Sequence, residues 1–184
     1  MKSIIVLAAH RAPPSDFPHA ELSEFFKLHS QLEASHHSLG NGDLHALQER
    51  YEILEGKLRS WPRTEQNDPF FASSVALGRE LEGQVGMQVL VGFNEYCNPS
   101  LEDSLAWAAK SGADRVVVIT PMLTAGGAHA AVDIPLTIKA ARTNSPDVEF
   151  IYAWPFESGE VAGFLAGQVR KYAEPELMRA VLVG

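Results

Sequence analysis

The chain has 184 residues, 46% of them hydrophobic and 21% charged, which is the composition of a globular domain and excludes a disordered tail or a fibre. Lys and Arg number 15 against 23 Asp and Glu, a net charge of −8, so no basic surface offers itself to nucleic acid. A single cysteine, Cys97, excludes a disulfide framework and a cysteine-rich metal module.

Four short apolar runs, Ser3–Ala8, Met87–Phe93, Arg115–Thr120 and Val148–Ala153, have the near-continuous β-branched character of parallel strands buried on both faces. After the first, Ala20–His37 and Asp43–Ser60 read as polar amphipathic helices separated by LGNG, followed by a loop over Pro62–Pro69 and a helix over Phe70–Glu82. A parallel crossover needs only a dozen or so residues, so a helical insertion of about residues 20–65 is expected here. Ser100–Ser111 is predicted as a helix that starts from a Ser cap, carries Leu101, Leu105, Trp107 and Ala108, and closes at Gly112. Asp133 is expected to cap Ile134–Thr143, with Pro135 in the first turn, where a missing N–H costs least. The last helix, Glu157–Tyr172, sets Val161, Phe164, Leu165 and Val169 on one face. Strand alternating with helix predicts a three-layer α/β fold: a four-stranded, mainly parallel sheet with helices on both faces, in one domain spanning 1–184.

Ligands of open parallel sheets sit beyond the carboxyl ends of the strands, so the residues just past each run are the ones to weigh. His10 and Arg11 come after the first, Glu95 after the second, and PMLTAGGAH with Gly126, Gly127 and His129 after the third. Two imidazoles and a carboxylate on one edge are the donors of an open divalent-metal site, suited to zinc, cobalt, nickel or iron. Taken singly, each has a plainer reading. A strand-end histidine packs or hydrogen-bonds, a glutamate is solvated, a Gly pair makes a turn, and Arg11 is a surface residue. His19, His29, His36, His37 and His45 all fall in the polar insertion and read as solvated. Cys97, close to Glu95, reads as a small packed hydrophobe. No GK[ST] follows the Gly pair, no GxGxxG follows a strand, and no GxSxG frames a serine. Nothing therefore points to a nucleotide or to a serine nucleophile. The longest apolar runs are far short of the ~20 residues of a membrane helix, and the N-terminal run lacks a cleavage pattern, so a cytoplasmic location is expected.

IIVLAAH, then EYCNPSLEDSL, then RVVVITPMLTAGGAHAAVDIP resemble the CbiX-type sirohydrochlorin chelatases, small relatives of the anaerobic cobaltochelatases and ferrochelatases. GGAHAAVDIP matches the family's GxHxxxDIP segment, Glu95 stands four residues before Pro99, and His10 falls at the first family histidine. The family's HGS is HRA here, and the resemblance leaves out roughly Ala20–Glu65 and the last ten residues. It implies ATP-independent insertion of cobalt, iron or nickel into sirohydrochlorin or a related tetrapyrrole, in cobalamin or sirohaem biosynthesis. The divalent ion is then a substrate, and no organic cofactor is implied. His10, Glu95 and His129 would hold the ion and accept the pyrrole protons, while Arg11 and the backbone around Gly126 and Gly127 would take substrate carboxylates. Larger relatives enclose their substrate between two α/β halves, so a homodimer is implied for a chain with one. The alternative is a carrier or regulatory protein on the same scaffold that binds metal or tetrapyrrole without turnover.

Overall fold

The computed structural model describes residues 1–10, 12–34 and 41–173. The apolar runs pair as β1 (Ser3–Ala9), β2 (Val89–Phe93), β3 (Arg115–Ile119) and β4 (Glu149–Tyr152), all parallel, in the order β2-β1-β3-β4. Leu7 of β1 is in register with Val91 on one side and Ile119 on the other. The chain therefore leaves β1 to one side and returns past it to the other, which places the reversal of strand order beside the central strand.

Six α-helices accompany the sheet among the described residues: α1 (His19–Ala34), α2 (Asn41–Ser60), α3 (Pro69–Val85), α4 (Leu101–Lys110), α5 (Ile134–Asn144) and α6 (Ser158–Ala173). Their starts reflect local chemistry. Ser100 accepts the Asp103 N–H at 3.0 Å to cap α4, and Asp68 accepts that of Phe71 at 3.0 Å to cap α3. On one face of the sheet α4 and α5 pack over Ile4, Val6 and Ala8, with Leu101, Leu105, Val116, Val118, Ile134 and Ile138 all buried. Each such aliphatic side chain contributes about 1.5–3 kcal/mol by leaving water. On the other face α3 lies so close that a Cβ on Gly78 would stand 2.7 Å from the Val91 side chain.

Burial on both faces does not extend across the whole sheet. Along β3 only Val116 and Val118 are fully buried, and along β4 only Phe150. The reason is α6, whose expected apolar face is not seated: none of its residues is buried, and Phe164 and Val169 are 63% and 65% exposed. The insertion is present as α1 and α2, packed on each other around their own core of Phe17, Phe25, Leu28, Leu54 and Leu58. Arg50 grips Glu24 with two bonds of 2.7 and 2.8 Å, and Lys57 meets Glu21 at 2.6 Å. His19, His29 and His45 are exposed as expected. Arg11, His36 and His37 and the C-terminal residues 174–184 lie outside the described residues.

Candidate metal centre

His10 is the first residue past β1, Glu95 the second past β2, and His129 opens the helical segment after the β3 loop. Because β1 lies between β2 and β3, the three side chains come from adjacent strands. A bond from the Asn94 N–H to the Ala9 carbonyl, 3.0 Å, extends the β1–β2 pairing up to the site. One ligand atom from each of His10, Glu95 and His129 lies within 4.8 Å of the other two, the only such group among the described residues. The side chains are 44%, 25% and 32% exposed, so the group is an open rim and not a closed cage. The imidazoles stack with centroids 4.5 Å apart. His10 Nδ1 approaches Glu95 Oε2 to 3.1 Å, yet is shielded and has no aligned hydrogen-bond partner.

His129 is held differently. Its Nδ1 lies 2.7 Å from Asp133 Oδ2 and 3.3 Å from the Asn94 amide. A carboxylate only accepts, so the Asp133 contact is made with a proton on Nδ1; the same nitrogen lies 3.8 Å from Glu95 Oε1. The bond to Asp133 fixes the orientation of the His129 ring.

Asp133 is therefore not the helix cap expected from the sequence. The chain is already helical at Ala128, and Asp133 has φ −67° and ψ −51° with no capping bond. Residues His129–Asp133 form a π turn, in which the Ile134 N–H reaches back to the His129 carbonyl. Pro135 explains the wide turn: it has no N–H to return, and its ring crowds the carbonyl four residues back. The carbonyl of Ala130 is taken instead by the Tyr152 hydroxyl, 3.0 Å away. Burial pushes the Tyr152 phenol up to about 12, so it stays a donor at all ordinary pH. Trp154, stacked on Tyr152, donates to the Met122 carbonyl at 3.1 Å. Together β4 and its exit hold the loop that carries His129.

The other candidates lie close by. Gly126, at φ +98°, and Gly127 are in the exposed loop before His129, with open space where a Cβ would stand. Cys97 is buried with Ala9 and Phe93, its thiol donating to the Asn98 carbonyl at 3.1 Å. The sequence positions of Asn94, Asp133 and Tyr152 do not mark them as site residues. For Asp133 a signal exists, since His and Asp four apart in a helix share a face.

The CbiX family model matches residues 67–165, more than half of the 184 residues, and the chain belongs to the CbiX family. The match takes in α3 to α5 and the first half of α6, with Glu95 and His129, while His10 and the α1–α2 insertion precede it. A stretch of 47 residues is 45% identical to the sirohydrochlorin cobaltochelatase of Methanopyrus kandleri, covering 26% of this chain and 32% of that protein. The chain thus matches about a third of that relative's length. Among solved structures, the sirohydrochlorin chelatase SirB from Bacillus subtilis subspecies spizizenii, in complex with cobalt, has a TM-score of 0.41 at 18% identity over 84% of this chain and 44% of that one. The cobalamin biosynthesis CbiX protein of Marinobacter aquaeolei has a TM-score of 0.46 at 18% identity, over 98% of both chains.

Proposed function

We propose that the protein is an ATP-independent metal chelatase that inserts a divalent ion, cobalt or iron, into sirohydrochlorin or a related tetrapyrrole. The observation that carries this reading is the convergence of His10, Glu95 and His129 on one open rim, in a chain of the CbiX family. The name of the Methanopyrus relative supplies the substrate class.

Insertion needs the ion held loosely enough to leave, and two pyrrole N–H protons removed as metal–nitrogen bonds form. An open site of three side chains meets the first need better than a closed site of four. His10, Glu95 and His129 serve both purposes, since each offers a lone pair to the ion and each can accept a proton once the ion has passed to the ring. Asp133 keeps the His129 ring aimed through both stages. Arg11 is assigned to pair with a substrate carboxylate, and the exposed amides about Gly126 and Gly127 to receive another. A flat macrocycle needs walls on both sides, so the reading includes a homodimer that faces the rim with a second copy. Among the described residues no helix is long and apolar enough to cross a membrane.

The test is a metallation assay in which sirohydrochlorin is mixed with protein and cobalt(II) or iron(II). A change in the tetrapyrrole spectrum faster than the uncatalysed rate, lost in His129→Ala and Glu95→Ala, is expected. Tetrapyrrole and metal binding with no acceleration would identify a carrier. No loss of metal binding on either substitution would remove the rim from the mechanism.

A further inference from the structure

Glu95 stands in a loop whose backbone needs support. Its neighbour Tyr96 has φ +52°, the one positive φ among the described non-glycine residues, a conformation that side chains with a Cβ adopt rarely and that persists only where the surroundings impose it. Those surroundings come from the insertion. Arg63, in the segment that joins α2 to α3, donates from Nη2 to the Tyr96 carbonyl and, at 2.8 Å, to the Leu58 carbonyl near the end of α2. Its Nη1 donates at 2.8 Å to Asp68, the cap of α3. Arg63 and Asp68 are only 4% and 5% exposed, so the pair is a buried strut. The Tyr96 ring meets Phe25 and Phe26 of α1 edge-on at 5.9 and 6.0 Å. Two residues further on, the Asn98 N–H donates to the Arg59 carbonyl of α2 at 3.1 Å.

We infer that Arg63 is a positioning residue for Glu95: it clamps the Tyr96 carbonyl, holds that residue in its left-handed conformation, and so makes the inserted helices the mount of the carboxylate corner of the rim. The guanidinium suits the task because its fork reaches two carbonyls and a carboxylate at once, which a lysine ammonium on a flexible stem does not. The inference rests on Glu95 as a metal ligand, but its conformational half is separately measurable.

The experiment compares the parent with Arg63→Lys, Arg63→Ala, Tyr96→Gly and the double variant Arg63→Lys with Tyr96→Gly. Cobalt(II) affinity is read by competition with a chromophoric chelator, and hydrogen exchange is read at the Asn94 and Asn98 amides. Arg63→Lys keeps a charge beside Asp68 and serves if the alanine variant does not fold. Either Arg63 variant is expected to weaken cobalt binding about tenfold or more, the size usual for supports of metal ligands, and to speed exchange at both amides. Glycine takes positive φ freely, so Tyr96→Gly in the Arg63→Lys background is expected to recover cobalt affinity and slow the exchange, while the melting temperature stays below the parent's. A role confined to folding would move the melting temperature alone. Folded Arg63 variants with parental exchange and affinity, or a double variant no better than Arg63→Lys, overturn the inference. Parental protein that fails to bind cobalt overturns the chelatase reading instead, and the exchange data then decide whether Arg63 holds the loop.

Discussion

The contact between His129 and Asp133 shows how a single spacing serves two ends. Four residues apart in a helix, the two side chains meet on one face, and the π turn that carries them is opened by Pro135 two positions on. With His129 as the ligand proposed above, Asp133→Ala is expected to lower divalent-metal affinity by roughly 10–100-fold, the usual effect of removing a carboxylate that orients a ligand histidine. Asp133→Asn, whose oxygen can still accept from Nδ1, should lose less. Isothermal titration with cobalt(II) checks both. Tyr152 gives a prediction in pH. Its phenol is pushed up to about 12 from the ordinary 10 by burial, so the contribution of its bond to Ala130 is full below pH 10 and is lost as pH rises through about 12. Tyr152→Phe should cost about 1 kcal/mol below pH 10, and urea melts should show the gap from the parent closing and then reversing as pH rises from 10 to 12. At this scale the meeting of His10, Glu95 and His129 was legible because residues at the ends of parallel strands share an edge whatever the side-chain details. The Asp133 contact was hidden by a DIP tripeptide that reads equally as a cap. The left-handed backbone of Tyr96 had no signal at all, since nothing in a tyrosine announces a positive φ.

Elements were easier to read than contacts. The four strands are found within two residues of their expected ends, because a continuous β-branched run between Gly and polar residues has few other uses. Ser100 at the start of α4 and the close at Gly112 are likewise set by local chemistry, the glycine taking φ +75°. The burial of α6 was not legible. An apolar stripe at helical spacing states that a face wants cover, but which surface supplies it depends on the rest of the fold. Helix α3 offers a sharper test of packing. Gly78 faces the sheet, where a Cβ would press within 2.7 Å of the stiff Val91 side chain, while Gly83 on the same helix has nothing within 4 Å. Gly78→Ala should therefore destabilise by about 1–3 kcal/mol through overpacking. Gly83→Ala should stabilise by about 0.4–1 kcal/mol through helix propensity and a less free unfolded chain. Chemical denaturation of the two variants measures the difference in sign.

At the level of the whole molecule, one face of the sheet is sealed by α4 and α5, and the other is covered closely by α3 but thinly by α6. Phe164 and Val169, both largely exposed, should tolerate replacement by Gln with less than about 0.5 kcal/mol lost, whereas Leu105→Ala in the sealed face should cost about 2–5 kcal/mol. Thermal melts of the two sets compare the faces directly. The metal rim gathers support from regions far apart in the chain. Glu95 leans on α1 and α2 through Arg63, Arg59 and the Phe25–Phe26 pair, and His129 leans on β4 through Tyr152 and Trp154. The two jaws of the vice can thus loosen one at a time. On the proposed chelatase reading, detachment of the helical hairpin would free the Glu95 corner while His10 and His129 stayed in place, leaving an ion two of its three ligands. On that same reading, loosening this one corner is the step by which the protein would hand its cargo on.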